Sequence, residues 1–129
     1  MKISADLLEQ IVEHAKREAP NECCGLIAIQ GDEAVDVIPG ENTEASPFRF
    51  VIDSRTLLRT TAIDDAGQKL GIYHSHTRSE PYPSQTDVSQ AANWPGAEWL
   101  IVGLAEDEPV VRSYLIDGPT VTEVDVDLR

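Results

Sequence analysis

Residues 71–87 read GIYHSHTRSEPYPSQTD, and this stretch predicts a strand, a stiff linker and a helix. The first three residues are apolar enough for a strand, in which side chains two apart share a face, so His74 and His76 converge on one point. After the linker, Ser84 followed three residues later by Asp87 is typical of a helix N-terminal box. This box turns Asp87 back toward the end of the strand.

Two imidazoles and a carboxylate form a three-ligand set that suits zinc and leaves a fourth tetrahedral position for water. An open position is typical of a catalytic zinc site. Taken separately, the His-x-His pair could be two exposed strand histidines, and Ser84 and Asp87 could form an ordinary helix cap. Their joint occurrence between a strand and a helix start favours metal binding.

Glu22 lies just after Pro20, where the first predicted helix has ended, and just before the apolar run 26–29. It could be a solvated loop glutamate. With a zinc site elsewhere in the chain, a glutamate can instead take a proton from the zinc-activated water and pass it to the leaving amine. Glu22 is therefore a candidate general acid/base.

The chain resembles the JAMM (MPN-plus) metallopeptidases, whose pattern is a glutamate near the first strand followed by His-x-His-x7-Ser-x2-Asp. Every position of the pattern is matched, and the resemblance covers essentially the full length. It implies that zinc (Zn²⁺) is held by His74, His76 and Asp87. It also implies that Glu22 is the general acid/base and that Ser84 donates a hydrogen bond to the developing oxyanion.

The resemblance also implies a substrate class. Members that cleave ubiquitin chains carry insertions that grip the distal ubiquitin, and 129 residues leave little room for them. The chain is more similar to the short prokaryotic members, some of which release cysteine from a sulfur-carrier protein while others remove ubiquitin-like modifiers. We therefore expect cleavage of the amide after the C-terminal Gly-Gly of a sulfur-carrier or ubiquitin-like protein, with release of cysteine.

Three alternatives stay open at this point. The first is removal of ubiquitin-like modifiers from conjugated proteins. The second is a non-catalytic MPN-type binding module, which is disfavoured because such a module would lack one of the motif residues. The third is hydrolysis of a small-molecule amide, which would need a closed pocket where a protein tail needs an open groove.

Composition predicts one compact domain spanning residues 1–129, because a chain of this length with 41% hydrophobic residues fills one core and not two. A net charge of −13 argues against a nucleic-acid partner. No apolar stretch approaches the roughly 20 residues that cross a bilayer, so we expect no membrane association. Cys23 and Cys24, the only cysteines, cannot bridge each other without severe strain, which fits core filling and a reducing cytoplasm.

Hydrophobic periodicity predicts the order α-β-β-β-α-β-α-β-β-β, an α/β fold with a mixed sheet sandwiched by helices. The resemblance implies the JAMM/MPN, cytidine-deaminase-like architecture for it. The expected elements are a helix capped by Ser4 and ending before Pro20, strands 26–30, 34–38 and 48–52, a helix capped by Ser54 and ending near 66, the histidine strand, a helix from Ser84 to about 93, and strands 99–104, 110–116 and 121–128.

Three further residues have predicted positions in a helix and a loop. His14 lies off the apolar stripe of the first helix, which predicts an exposed position on its polar face. Arg78 and Tyr82 belong to the linker between the predicted metal ligands, and two prolines stiffen this linker. They either contact substrate or are ordinary exposed loop residues.

Overall fold

The computed structural model describes all of residues 1–129 and contains one eight-stranded mixed sheet with four helices. The helices are α1 (Ala5–Glu18), α2 (Ser54–Leu57), α3 (Arg59–Asp65) and α4 (Gln85–Ala91). The strands are β1 (Lys2–Ile3), β2 (Cys24–Gln30), β3 (Glu33–Pro39), β4 (Lys69–His76), β5 (Glu98–Gly103), β6 (Val110–Asp117), β7 (Thr120–Val124) and β8 (Asp127–Leu128). No helix combines the length and the hydropathy that a membrane crossing requires.

The sheet is curled, as its strand order shows. The order is β7-β6-β5-β4-β2-β3-β1-β8, so β7 and β8 lie at opposite edges although only residues 125 and 126 separate them in the chain. Those few residues reach on the order of 10 Å when extended, so the two edges must approach each other. The histidine strand β4 is central, antiparallel to β2 and parallel to β5.

Both faces of the sheet are buried against helices. Ile27 of β2 belongs to a core cluster with Ile11 of α1, whereas the neighbouring Leu26 belongs to a second cluster with Ile63 of α3 and Ala91 of α4. Successive strand residues point to opposite faces, so each face receives its own apolar set. The prediction of a mixed sheet sandwiched by helices is confirmed.

The predicted strand 48–52 is wrong. The only ladder contact of this region is an isolated bridge between Ile52 and Asn42. The Asn42 side chain contributes four hydrogen bonds, donating from Nδ2 to the carbonyls of Glu22 and Arg49 and accepting at Oδ1 from the N–H groups of Glu44 and Val51. These bonds satisfy the backbone locally, so a segment rich in strand-forming residues folds as an irregular loop.

Two boundary predictions also need correction. Asp53, and not Ser54, caps the second helical region, because its carboxylate accepts from the N–H of Thr56 at 3.1 Å. Both residue types are good caps, so residue type alone does not choose between them. That region is broken at Leu58 into α2 and α3, and the predicted strand 121–128 is divided into β7 and β8.

The prediction for His14 is wrong as well. His14 is buried, and its Nδ1 lies 2.7 Å from the hydroxyl of Tyr73, which β4 projects toward α1. The Tyr73 ring occupies the space beside Gly25, where any Cβ would collide with it. Burial lowers the pKa of His14, with Arg17 adding to the effect. Helical periodicity could not reveal this contact, because it depends on a glycine in another strand.

Cys23 and Cys24 are free thiols, and each is fully buried in one of the two core clusters. Burial raises the pKa of both to about 12, so neither is a thiolate near neutral pH. Their predicted role in core filling is confirmed.

Candidate metal centre

The C-terminal end of β4 brings the three predicted ligands together. The Nε2 atoms of His74 and His76 lie 3.3 Å apart, because alternate residues of the strand share a face. Oδ2 of Asp87, in the first turn of α4, lies 3.2 Å from the first Nε2 and 3.1 Å from the second. All three side chains are buried.

The triangle of ligand atoms fits a metal ion. A tetrahedral ion with bonds of about 2.0–2.1 Å holds its ligand atoms about 3.3–3.4 Å apart, close to the edges of 3.1 to 3.3 Å found here. Three ligands on one side of an ion leave a fourth direction free. The arrangement of His74, His76 and Asp87 is therefore suited to a metal ion with an open coordination position.

His76 is oriented by a backbone contact. Its Nδ1 lies 2.8 Å from the carbonyl oxygen of Glu80, so a proton on Nδ1 is donated there and the Nε2 lone pair faces the other two ligands. Burial lowers the pKa of His76, but the hydrogen bonds to Asp87 and to the Glu80 carbonyl outweigh it and the net direction is upward.

His74 is held by packing. Its ring stacks on Phe50 with a centroid distance of 4.6 Å, and Trp99 meets it edge-on at 6.3 Å. Its Nδ1 is buried and has no hydrogen-bond partner. The irregular segment that contains Phe50 thus supports one side of the centre.

Asp87 serves the helix and the centre at once. In a capping box, the N–H of Ser84 donates to Oδ2 of Asp87 at 2.9 Å and the N–H of Asp87 donates to Oγ of Ser84 at 3.1 Å. Burial favours a raised pKa for Asp87, but the charge of His74 and the hydrogen bonds from both histidines and Ser84 outweigh it. The net pKa lies far below the usual range, so the carboxylate is ionised.

Glu22 is buried beside this triangle, with only 4% of its surface exposed, so the interpretation as a solvated loop residue is wrong. Its Oε1 is buried without a hydrogen-bond partner. Burial raises the pKa of Glu22 to about 8, the His76 charge opposes this and the Asp87 charge adds to it. An unpartnered buried carboxyl with a raised pKa beside possible metal ligands is a candidate proton carrier.

Ser75 is a residue that motif reasoning missed. It lies between the two histidines, is fully buried, and its Oγ accepts from the N–H of Cys23 at 2.8 Å. The register of β2 against β4, which pairs Cys24 with His74, brings these groups together. The hydroxyl therefore ties the histidine strand to the residue that follows Glu22, and only the strand pairing could reveal it.

The predicted oxyanion donor, Ser84, is exposed at the mouth of the site. Its Oγ accepts the capping hydrogen bond, and the hydroxyl proton remains available for donation. The structure therefore places Ser84 as a helix cap beside the ligands, in a position compatible with a second role.

The linker 77–83 is anchored to the sheet. Pro81 accepts a hydrogen bond at its carbonyl from the Tyr114 hydroxyl at 2.5 Å, and its ring packs where a side chain at Gly103 would otherwise lie. Tyr82 is half-exposed and meets the Tyr114 ring edge-on. Arg78 is exposed and forms no ion pair.

A curled mixed sheet with two histidines and an aspartate converging at the end of its central strand defines a metallohydrolase domain of the JAMM type. The chain belongs to the prokaryotic JAB family, because the model described as prokaryotic homologs of the JAB domain matches residues 4–117.

Two relatives support the assignment. The chain is 40% identical to a CysO-cysteine peptidase of Mycobacterium tuberculosis, with 98% of this chain and 89% of the relative aligned. It is 36% identical to a desampylase of Haloferax volcanii, with 78% of each aligned.

Solved structures agree with this. The fold is similar to the solution structure of a protein from Desulfitobacterium hafniense, with a TM-score of 0.83, 32% identity and coverage of 99% and 92% of the two chains. It is also similar to a structure described as JAMM, a metalloprotease-like zinc site in the proteasome and signalosome, with a TM-score of 0.64, 25% identity and coverage of 100% and 97%.

Proposed function

We propose that this chain is a zinc-dependent metallopeptidase that hydrolyses the amide bond after the C-terminal Gly-Gly of a sulfur-carrier or ubiquitin-like protein, releasing cysteine. The observation that carries the proposal is the ligand triangle with the buried, unpartnered Glu22 carboxyl beside it. The similarity to a CysO-cysteine peptidase over nearly the whole chain supports this substrate class.

In this proposal His74, His76 and Asp87 hold the zinc ion, and the two-nitrogen, one-oxygen donor set is one that zinc uses in catalytic sites. When bound, zinc lowers the pKa of a water molecule to about 7 and polarises the scissile carbonyl. The ionised state of Asp87 and the orientation of His76 by Glu80 both prepare these side chains as ligands.

Glu22 accepts the proton of the attacking water and returns it to the leaving amine. A carboxyl with a pKa near 8 would be protonated at neutral pH, but a divalent cation held nearby favours the carboxylate and lowers that pKa. Because the Glu22 carboxyl is buried, bulk solvent does not reach it. Its proton is therefore exchanged with the attacking water and the leaving amine. The Ser84 hydroxyl donates to the oxyanion that develops on the carbonyl.

A second candidate function is removal of a ubiquitin-like modifier from a conjugated protein. The similarity to a desampylase favours it. Both reactions cleave an amide after the same kind of tail and differ only in the leaving amine.

The deciding experiment uses a small sulfur-carrier protein ending in Gly-Gly, extended by one C-terminal cysteine. We expect intact-mass measurement to show loss of that single residue, and chelator or Glu22→Gln to abolish the loss. Cleavage of an isopeptide-linked conjugate with the cysteine adduct intact would favour modifier removal. If zinc-loaded protein cleaves neither, the substrate class is wrong.

We also propose that Ser75 positions Glu22. Ser75→Ala removes the acceptor for the Cys23 N–H, and the freed strand end displaces the neighbouring Glu22. Because small displacements of a catalytic group are costly, we expect kcat to fall by roughly 10- to 100-fold with zinc content and KM retained. Ser75→Thr keeps the hydroxyl and should restore most of the rate. A loss of zinc, or equal loss in both variants, would indicate general damage to the strand.

The oxyanion role of Ser84 has its own test. If Ser84 donates to the oxyanion, Ser84→Ala should lower kcat by on the order of 10²- to 10³-fold. If it is only a helix cap, the substitution should cost about 1 kcal/mol of stability and little rate. Thermal unfolding and steady-state kinetics on the same preparation separate the two. Ser4→Ala, which removes the cap of α1, provides the matched control for stability alone.

We further propose that residues 1–129 act as one domain and that the protein works in the cytoplasm. The support is the continuous eight-stranded sheet and the two buried free thiols, which suit a reducing compartment.

A further inference from the structure

Residues 48–59, FRFVIDSRTLLR, form a positively charged segment in a strongly acidic protein. Three arginines and one aspartate give this segment a charge of +2, so the rest of the chain, at −13 overall, carries −15. Arg49 pairs with Glu44 at 2.8 Å, whereas Arg55 and Arg59 have no carboxylate partner. The segment therefore presents uncompensated positive charge.

The same segment exposes large apolar side chains. Phe48 is 75% exposed, Leu58 is 74% exposed and Val51 is 44% exposed. Leu58 has helical backbone angles, so Arg55, three residues before it, is its neighbour on one face of the helical region. Arg59 lies four residues after Arg55 and next to it on the helical surface. Leu58 and the two unpaired arginines near it form a surface that is complementary to a partner protein with an apolar patch and an acidic rim.

The segment adjoins the metal centre. Phe50 stacks on His74, and its carbonyl accepts a hydrogen bond from Gln90 of α4 at 3.0 Å. Val51 and Leu57 line a groove of about 430 Å³ together with Phe50 and the tryptophans at 94 and 99. A protein bound to the outer side of this segment would lie next to the reacting amide.

We propose that residues 48–59 dock the folded body of the carrier protein through an acidic-rimmed apolar face on that carrier. The proposal rests on the proposed function, since it concerns how the same site selects its substrate. Most of this chain is acidic and repels a negatively charged carrier face, whereas residues 48–59 attract it. The electrostatic field of the protein therefore orients the carrier before contact. The positively charged segment then holds the body while the tail enters the site.

The size of the surface predicts weak docking. Its six large exposed side chains, three apolar and three arginine, are far fewer than the roughly 20–30 residues that each partner contributes to a stable complex. Short-lived binding suits an enzyme that must release its product. The effect should therefore appear in KM for the whole carrier and not in kcat.

The test compares two substrates of the wild-type protein and its variants. One is a folded sulfur-carrier protein ending in Gly-Gly with one added cysteine, and the other is a synthetic peptide of its last six residues with the same cysteine. We expect Arg55→Glu and Leu58→Ser each to raise KM for the carrier about tenfold or more while kcat and all peptide kinetics stay unchanged. Raising NaCl should raise the wild-type KM for the carrier and leave the KM for the peptide unchanged.

Matched controls come from exposed positions in elements outside this segment. Lys16→Glu makes the same charge change on an exposed position of α1, and Leu128→Ser removes an apolar residue that is 64% exposed. Both should behave as wild type on both substrates. Melting temperatures confirm that each variant is folded.

Three results would overturn the proposal: unchanged carrier kinetics in Arg55→Glu and Leu58→Ser, equal losses on carrier and peptide, or a wild-type dimer in solution that Leu58→Ser dissociates. Failure of the proposed function looks different, because the wild type would then cleave neither substrate. In that case binding of the labelled carrier to the wild type and to Arg55→Glu still decides the docking question.

Discussion

Replacing His74 or Asp87 by alanine is expected to remove most of the bound zinc and all measurable peptidase activity. In the proposed centre each residue supplies one of three protein ligands, and three are what an open zinc site retains. The loss should exceed the 10- to 100-fold that removal of an outer hydrogen-bond partner costs in metal affinity. Metal analysis of the purified variants, with the wild type near one zinc per chain, gives the direct measurement.

The Asp87 variant has a second consequence that must be separated from metal loss. Asp87 also accepts the Ser84 N–H as part of the capping box, so its removal weakens α4. Asp53→Ala removes the carboxylate that caps α2 and lies outside the ligand triangle, so it should keep its zinc. Full zinc content in both the His74 and the Asp87 variants would refute the ligand assignment.

Glu22→Gln is expected to lower kcat by roughly 10²- to 10⁴-fold with zinc retained. Glutamine keeps the size and polarity of the side chain but cannot accept the water proton, and this is the usual range for loss of a general base. Glu18→Gln makes the same charge change four residues earlier and should leave kcat unchanged. A rate near wild type in Glu22→Gln would mean that another group carries the proton.

We also expect Glu22→Gln to change how the stability of the metal-free protein depends on pH. Burial raises the pKa of Glu22 from 4.5 in the unfolded chain to about 8 in the folded protein. Between pH 4.5 and pH 8, the Glu22 carboxyl is therefore protonated in the folded state and ionised in the unfolded state. Stability therefore falls as pH rises through this window. After chelation, Glu22→Gln should lose less stability than the wild type between pH 5 and pH 8, as measured by denaturant unfolding.

The local pieces of the centre could be predicted because they depend on short-range rules. Alternation along one strand places His74 and His76 on one face, and the capping box aims Asp87 at the strand end. The apolar runs likewise predicted a sheet with helices packed on both of its faces, because they also follow short-range periodicity. Strand alternation and helix capping act over two to four residues, so they can be applied without knowing which distant elements pack together.

Sequence reasoning failed where the deciding partner is distant in the chain. The segment 48–52 has strand-forming residues, yet the Asn42 side chain and the stack on His74 hold it as a loop. His14 is buried because Gly25 leaves space for the Tyr73 ring that meets it. Neither outcome follows from periodicity within a single element.

The sequence by itself determined the candidate donor set and its local geometry: two imidazoles on one strand face and a carboxylate at a helix N-terminus. Only the tertiary structure decided that Glu22 is buried beside them, that Ser75 ties its segment to the histidine strand, and that residues 48–59 adjoin the centre. The physical reason is range. Side-chain alternation and helix capping depend on a few neighbouring residues. Burial and the shifts in pKa that it causes depend on which distant strands and helices pack together.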